Sequence, residues 1–195
     1  MKIYLIRHGE TTGDIEDRFG GDYDDHLTEK GRFQSQELAK KLQDKGIETV
    51  FVSPRIRAKE TAEEVQKVLD VPVEVIEDLR ERNNYGVLTG LTREEAKEKY
   101  PIEFKKISND EKHHDVTNSE SYEEIKERAI KVFNEILLKG HKIIAIISHG
   151  GIISTYVREV LTEGKNIELG DCAILEIEKD NQKLTLNCLA NAELR

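Results

Sequence analysis

The sequence predicts an α/β protein, a three-layer α/β/α sandwich on a mostly parallel sheet. Continuous apolar runs at Ile3–Ile6, Thr49–Val52 and Ile143–Ile147 read as strands buried on both faces. The segments between them carry apolar residues at helical spacing. The two kinds alternate along the chain, as expected when helices cover both faces of one sheet.

Each element has a local reason. Residues 2–7 form the first strand. Thr28 to Lys45 reads as a helix with Phe33, Leu38 and Leu42 on its apolar face and Gly46 just past its end. Thr49–Val52 is the second strand. Ser53-Pro54 reads as an N-cap followed by proline at the first helical position, opening a helix to about Leu69. Val73–Ile76 is the third strand. Residues 78–118 are irregular, with a short helix from about Thr92 and a polar stretch from Pro101 to Asn118. They are expected to form a small helical and loop cap over one end of the sheet. A long helix runs from Ser121 to Leu138, before the strongly apolar strand Ile143–Ile147 and a helix from Gly151 to about Leu161. Strands near 172–178 and 183–189, joined by a hairpin turn at Asp180-Asn181, are expected to add an antiparallel edge.

The 195 residues suit one domain spanning 1–195. A formal charge of −9 argues against nucleic acid or an acidic membrane as partner. An anionic ligand would need locally clustered arginines. Cys172 and Cys188 form no C-x-x-C pair and read as small buried apolar residues on late strands. No apolar run reaches the length of a membrane span and no signal-peptide pattern precedes the first strand, so the cytoplasm is the expected compartment. Oligomeric state stays open, a homodimer included.

In open α/β sheets, ligands bind at the carboxyl ends of the strands. Three strands here end in chemically useful residues: Arg7-His8-Gly9, Ser53-Pro54-Arg55-Ile56-Arg57, and Ser148-His149-Gly150-Gly151. An arginine offers a forked, permanent cation to phosphate oxygens. A histidine can be a neutral nucleophile near physiological pH. Free N–H groups at strand-to-helix junctions favour an anion. Taken singly, Arg57 reads rather as a solvated helix residue, and His149 could be a satisfied histidine at a strand end. Gly150-Gly151 weakens a helix start unless something must approach the backbone there. Together the junctions suggest a phosphate site.

The chain resembles the histidine phosphatases, the phosphoglycerate-mutase-like superfamily, over nearly its whole length. Six segments carry the resemblance in the family's order: Leu5 to Thr11, Gly21 to Gly31, Ser53 to Ala62, Leu79 to Arg82 leading into Gly86 to Leu91, Ser119 to Ser121, and Ile147 to Gly151. The resemblance implies that His8 takes the phosphoryl group. It implies that Arg7, Arg57 and His149 bind its oxygens, and that Glu81 protonates the leaving oxygen and then activates water. Gly20, Gly21 and Gly150 would line the phosphate or substrate, and no metal or other cofactor is implied. Asp14 stands where the family usually has an asparagine that contacts phosphate. It could pair with Arg18, turn away, meet a substrate hydroxyl or amine, or serve as a turn residue after Gly13. The segment after Glu81 is one residue longer than usual, which leaves Glu10 as a second choice for the proton donor.

The insertion separates substrate classes. Mutases of this family carry a longer, arginine-rich insertion, whereas residues 92–118 hold Arg93 and the lysines 97, 99, 105, 106 and 112. The expectation is a metal-independent phosphomonoesterase acting on a small phosphorylated metabolite. Phosphoglycerates, phosphoserine, sugar phosphates and α-ribazole phosphate are the candidates. A phosphoglycerate mutase and a non-catalytic phospho-ligand binding protein are the alternatives.

Overall fold

The computed structural model describes residues 1–108, 116–181 and 183–195; the His113-His114 pair and Lys112 lie outside them. Strands β1 (Lys2–Arg7), β2 (Thr49–Val52), β3 (Val73–Val75), β4 (Ile143–Ser148), β5 (Ile167–Asp180) and β6 (Lys183–Leu194) form one sheet in the order β3-β2-β4-β1-β5-β6. The first four are mutually parallel; β5 runs antiparallel to β1, and β6 to β5. Helices α1 (Thr12–Ile15), α2 (Glu29–Leu42), α3 (Ile56–Leu69), α4 (Arg93–Lys99), α5 (Pro101–Ser108), α6 (Tyr122–Leu137) and α7 (Gly150–Tyr156) join them, with 3₁₀ turns at Glu77–Leu79 and Gly86–Leu88, and α7 continues into a π-helical turn, Val157–Leu161.

The sandwich follows from alternation along the central strands. In β1, Ile3 and Leu5 point to one face and Tyr4 and Ile6 to the other. The first face is covered by Ile125, Val132 and Phe133 of α6 and Ile152 and Ile153 of α7. The second is covered by Leu38 and Leu42 of α2 and Ala58, Ala62 and Val65 of α3. The cap has a cluster of its own, with Phe19, Leu88, Ala96 and Val116 at its centre and Phe104 and Ile107 packed against it. That packing makes a helix, α5, of the stretch that reads as polar from Pro101 onward: Phe104 and Ile107 are three residues apart and share a face.

Several sequence expectations need correction. Phe33 is 61% exposed, whereas Leu38 is 2% exposed. Five residues of α-helix turn the chain by about 140°, so the two cannot share a face. The closing strands are longer than their sequence pattern suggests. A bulge between Leu169 and Ile174, with Cys172 at φ 51°, interrupts the alternation and hides the stretch that pairs Ile167 with Leu194. Cys188 is exposed on β6 rather than buried, and Cys172 is half-buried. Asn181 at φ 53° does supply the left-handed residue that the hairpin requires.

The parallel register levels the strand ends that matter. Ile147 of β4 lies between Ile6 of β1 and Val52 of β2, so Arg7-His8, Ser53 and Ser148-His149 leave the sheet side by side. The N–H of His8 donates to the Ser148 carbonyl (3.1 Å) and that of Ser53 to the Ile147 carbonyl (3.0 Å). The loop after His8 is pressed onto α2, where a Cβ on Gly31 would fall 2.0 Å from the Glu10 carbonyl oxygen. Only glycine allows that contact.

The packing separates two apolar residues of α2. Leu38→Ala is expected to cost about 2–5 kcal/mol of unfolding free energy in urea titrations, and Phe33→Ala about 0.5 kcal/mol or less. Equal losses at the two positions would contradict the described face of α2.

Candidate active site

The first, second and fourth strands deliver Arg7-His8, Ser53 and His149 to one edge of the sheet, and the first turn of α3 delivers Arg57. These side chains meet. The rings of His8 and His149 lie 5.1 Å apart, centroid to centroid, at 61°. The Nε–H of Arg57 donates to both, to Nε2 of His8 and to Nδ1 of His149, at 3.2 Å each. His8, Arg57 and His149 are all buried.

The hydrogen bonds fix the tautomers. Nδ1 of His8 lies 2.8 Å from the Gly9 carbonyl, which only accepts, so Nδ1 carries the proton and Nε2 the lone pair. Nδ1 of His149 accepts from Arg57, so its Nε2–H donates to the Ser53 hydroxyl at 2.6 Å. The pKa of His8 lies well below 6.5, first because burial disfavours the imidazolium and then because Arg57 and Arg7 stand beside it. Burial and Arg57 likewise lower that of His149.

Arg57 is held on its other edges by the loop before α2. Its Nη1 donates to the Tyr23 carbonyl (2.7 Å) and to Asp25 (2.8 Å), and its Nη2 to the Gly21 carbonyl (2.9 Å). The Tyr23 hydroxyl donates to the same Asp25 carboxylate, and burial and Asp25 push its pKa up. Two neighbours of Asp25 also dock on the start of α3: Asp22 accepts from Arg55 at 2.6 Å and Asp24 from the Ile56 N–H at 3.0 Å. This corrects the expected Ser53-Pro54 start. The helix begins at Ile56, with Arg55 at the N-cap and Asp24 satisfying the Ile56 N–H, while the Ser53 oxygen accepts from both His149 and the Arg55 N–H (3.3 Å) just ahead of the helix. Arg7 is anchored differently, donating to the Leu169 carbonyl on β5 (2.7 Å) with Asp171 3.6 Å away.

A cavity of about 120 Å³ opens over this group. Arg7, His8, Asp14, Gly20, Gly21, Arg57, Glu81 and Gly150 all line it; His149 lies behind, against Arg57. Glu81 accepts three backbone N–H groups, from Arg82 (2.7 Å), Gly151 (2.9 Å) and Ile152 (3.1 Å). The last two belong to the first turn of α7, whose N–H groups have no partner within the helix. A Cβ on Gly151 would lie 2.6 Å from a Glu81 oxygen, which accounts for the second glycine of the pair. Glu10, the other carboxylate weighed as proton donor, is turned toward Thr28 and Lys30. Asp14 does not pair with Arg18, which is bound to Glu16, the Gly90 carbonyl and Glu95. One Asp14 oxygen instead accepts from the N–H and hydroxyl of Thr11, both at 2.8 Å, as half of the capping box of α1.

Thr11, Tyr23 and Asp25 also line the cavity; they fall inside the segments Leu5 to Thr11 and Gly21 to Gly31 that carry the resemblance, but no individual role for them is legible in the sequence. In Asp22-Tyr23-Asp24-Asp25, three carboxylates look alike, and only tertiary contacts distinguish the one buried against Arg57. Among the described residues, no group of three or more His, Cys, Asp or Glu side chains is placed to hold a metal ion. No described helix is long and apolar enough to cross a membrane.

The chain is similar in sequence and in fold to known proteins. The chain is 27% identical over 192 residues to the Bacillus subtilis (strain 168) protein named "Uncharacterized phosphatase PhoE", covering 98% of this chain and 87% of that one. It is 32% identical over 164 residues to a metal-independent phosphoserine phosphatase of Arabidopsis thaliana, covering 80% and 68%. Its fold matches the crystal structure of the α-ribazole phosphatase of Shigella flexneri with a TM-score of 0.83, at 24% identity over 97% and 96% of the two chains. The family model of the histidine phosphatase superfamily (branch 1) matches residues 3–192, and the chain belongs to that family.

Proposed function

We propose that the protein is a metal-independent phosphomonoesterase that hydrolyses a small phosphorylated metabolite through a phosphohistidine on His8. The observation that carries this reading is the Arg57 Nε–H shared between the imidazoles of His149 and His8, with His8, Arg57 and Glu81 all lining one cavity.

The reaction follows from the groups present. An entering phosphate takes the Arg57 Nε–H as a donor, which releases the Nε2 lone pair of His8. Arg7 and Arg57, both on the cavity wall, oppose the negative charge of the phosphoryl oxygens. Nε2 forms a bond to phosphorus as the bond to the ester oxygen breaks. The Glu81 carboxyl gives its proton to that oxygen, and the alcohol leaves. The positive charge gained by the imidazole is stabilised by its Nδ1–H bond to the Gly9 carbonyl. Glu81, now a carboxylate, takes a proton from water. The water oxygen attacks phosphorus, the N–P bond breaks, and inorganic phosphate is released with His8 restored.

The cap supports hydrolysis over mutase chemistry. Arg93, the one arginine of residues 92–118, lies over the Phe19 ring at 4.0 Å with its Nε 3.3 Å from Asp17. It is thus engaged away from the cavity that a second acidic group of a diphosphate would enter. The relatives named for phosphoserine and α-ribazole phosphate support a small monoester of an alcohol as substrate.

Three outcomes are expected. His8→Ala should lower hydrolysis of an aryl phosphate by about 10³-fold or more and abolish the acid-labile, alkali-stable phosphoprotein trapped from wild type. Equal turnover by both proteins would end the proposal. With 3-phosphoglycerate, phosphate release should exceed formation of 2-phosphoglycerate; the reverse ratio would make the protein a mutase. For pH, a lowered imidazole pKa means that the neutral form persists as acid is added. Nitrogen NMR of the free protein at pH 6.5, where an unperturbed imidazole is half protonated, should therefore show His8 and His149 neutral, with protons on Nδ1 and Nε2 respectively. Half-protonated rings at that pH would contradict the described burial.

A further inference from the structure

The proton-donating role of Glu81 demands a fixed position for a residue that lies on no regular element. It follows a single 3₁₀ turn, Glu77–Leu79, and precedes an irregular stretch that turns at Asn84-Tyr85. Backbone groups buried in such a loop need partners from elsewhere. Here they come from α6 and β4. The guanidinium of Arg128 donates to the carbonyls of Asp78 (2.8 Å), Arg80 (2.9 Å) and Glu81 (3.4 Å). The Ser148 hydroxyl takes the carbonyl between them, that of Leu79, at 2.7 Å. Four successive carbonyls of the loop are thus bound by two side chains.

The next turn of the loop is held by the partner of Arg128. Glu120 accepts from Nε and Nη2 of Arg128 at 2.8 and 2.7 Å, a two-pronged pair. Its second oxygen also accepts from the Asn83 N–H (3.2 Å), its N–H donates to the Asn83 carbonyl (2.8 Å), and its own carbonyl accepts from the Arg82 guanidinium at 3.2 and 3.3 Å. Arg80, Asn83, Glu120 and Arg128 line a separate cleft of about 590 Å³, whereas Glu81 lines the phosphate cavity. The pair therefore grips the loop without touching the reacting atoms.

We infer that Arg128 and Glu120 are positioning residues that hold the Glu81 carboxyl in line with the leaving oxygen, so that they govern the turnover of esters whose alcohol needs a proton. This rests on the phosphatase reading and on Glu81 as its acid. An arginine at this place can be a mere structural brace, which would affect all substrates alike. A positioning role has a different signature. An aryl phosphate releases a stable phenolate and needs little protonation, whereas an alkyl phosphate must expel an alkoxide.

The test compares kcat/KM for 4-nitrophenyl phosphate and glycerol phosphate in wild type, Glu81→Gln, Arg128→Met and the double variant. Arg128→Met is expected to lose at least ten times more activity on the alkyl ester than on the aryl ester, and to add little to Glu81→Gln in the double variant. Equal losses on both esters, or losses that multiply in the double variant, would overturn the positioning role while leaving Glu81 as the acid. If Glu81→Gln itself fails to discriminate between the esters, the acid assignment falls, and the inference with it. Should Arg128→Met not fold, Glu120→Gln is read by the same ratio and the same double variant, with the aryl activity reporting the folded fraction.

Discussion

One buried cation organises the site. Arg57 is almost wholly removed from water, and every nitrogen of its guanidinium is directed at a partner. A charge in that position is tolerable only with a close counter-charge and complete hydrogen bonding. Asp25 supplies the first, and the carbonyls of Gly21 and Tyr23 supply much of the second. The loop 20–25 is therefore folded around a side chain from α3, and the cavity's rim is a by-product of satisfying that side chain. The same cation faces both imidazoles and, with their burial, keeps them unprotonated. A neutral nucleophile in a pocket that attracts anions is what attack on a phosphate monoester needs.

Two kinds of support surround this centre. The histidines stand at the ends of strands whose register is set by continuous ladders of hydrogen bonds, with apolar residues packed on both faces. Their positions come with the sheet. Glu81 has no such ladder. Its loop is fixed by side chains that reach it from α6 and β4, and its carboxylate rests on the first turn of α7. His8, the proposed nucleophile, is thus placed by the backbone, and Glu81, the proposed proton donor, by side chains.

Glycines serve this arrangement where two backbones or a backbone and a charge come together. Gly31 lets α2 rest against the loop after His8, and Gly151 lets Glu81 reach the N–H groups of α7. Both lie in helices, where alanine would otherwise be preferred. The contact, rather than an unusual backbone angle, accounts for each.

The sequence by itself determined the central strands, the helices between them and the meeting of three strand ends, because buried apolar runs and helical spacing are local patterns. It also marked His8, Arg57 and His149 by their place at those ends, and Glu81 through the family resemblance. It misread Phe33, since a loose spacing does not define a helix face, and Ser53, which stands ahead of the helix and shares its hydroxyl between the Arg55 N–H and a histidine 96 residues away. The bulge at Cys172 and the helix from Pro101 were hidden for a related reason: each depends on pairing or packing with distant residues. Tertiary structure alone decided that Asp25, rather than Asp22 or Asp24, neutralises Arg57, and that Arg128 holds the Glu81 loop. A charged side chain carries no record in its own sequence neighbourhood of the partner it will meet, and burial, which makes that partner matter, exists only once the chain has folded.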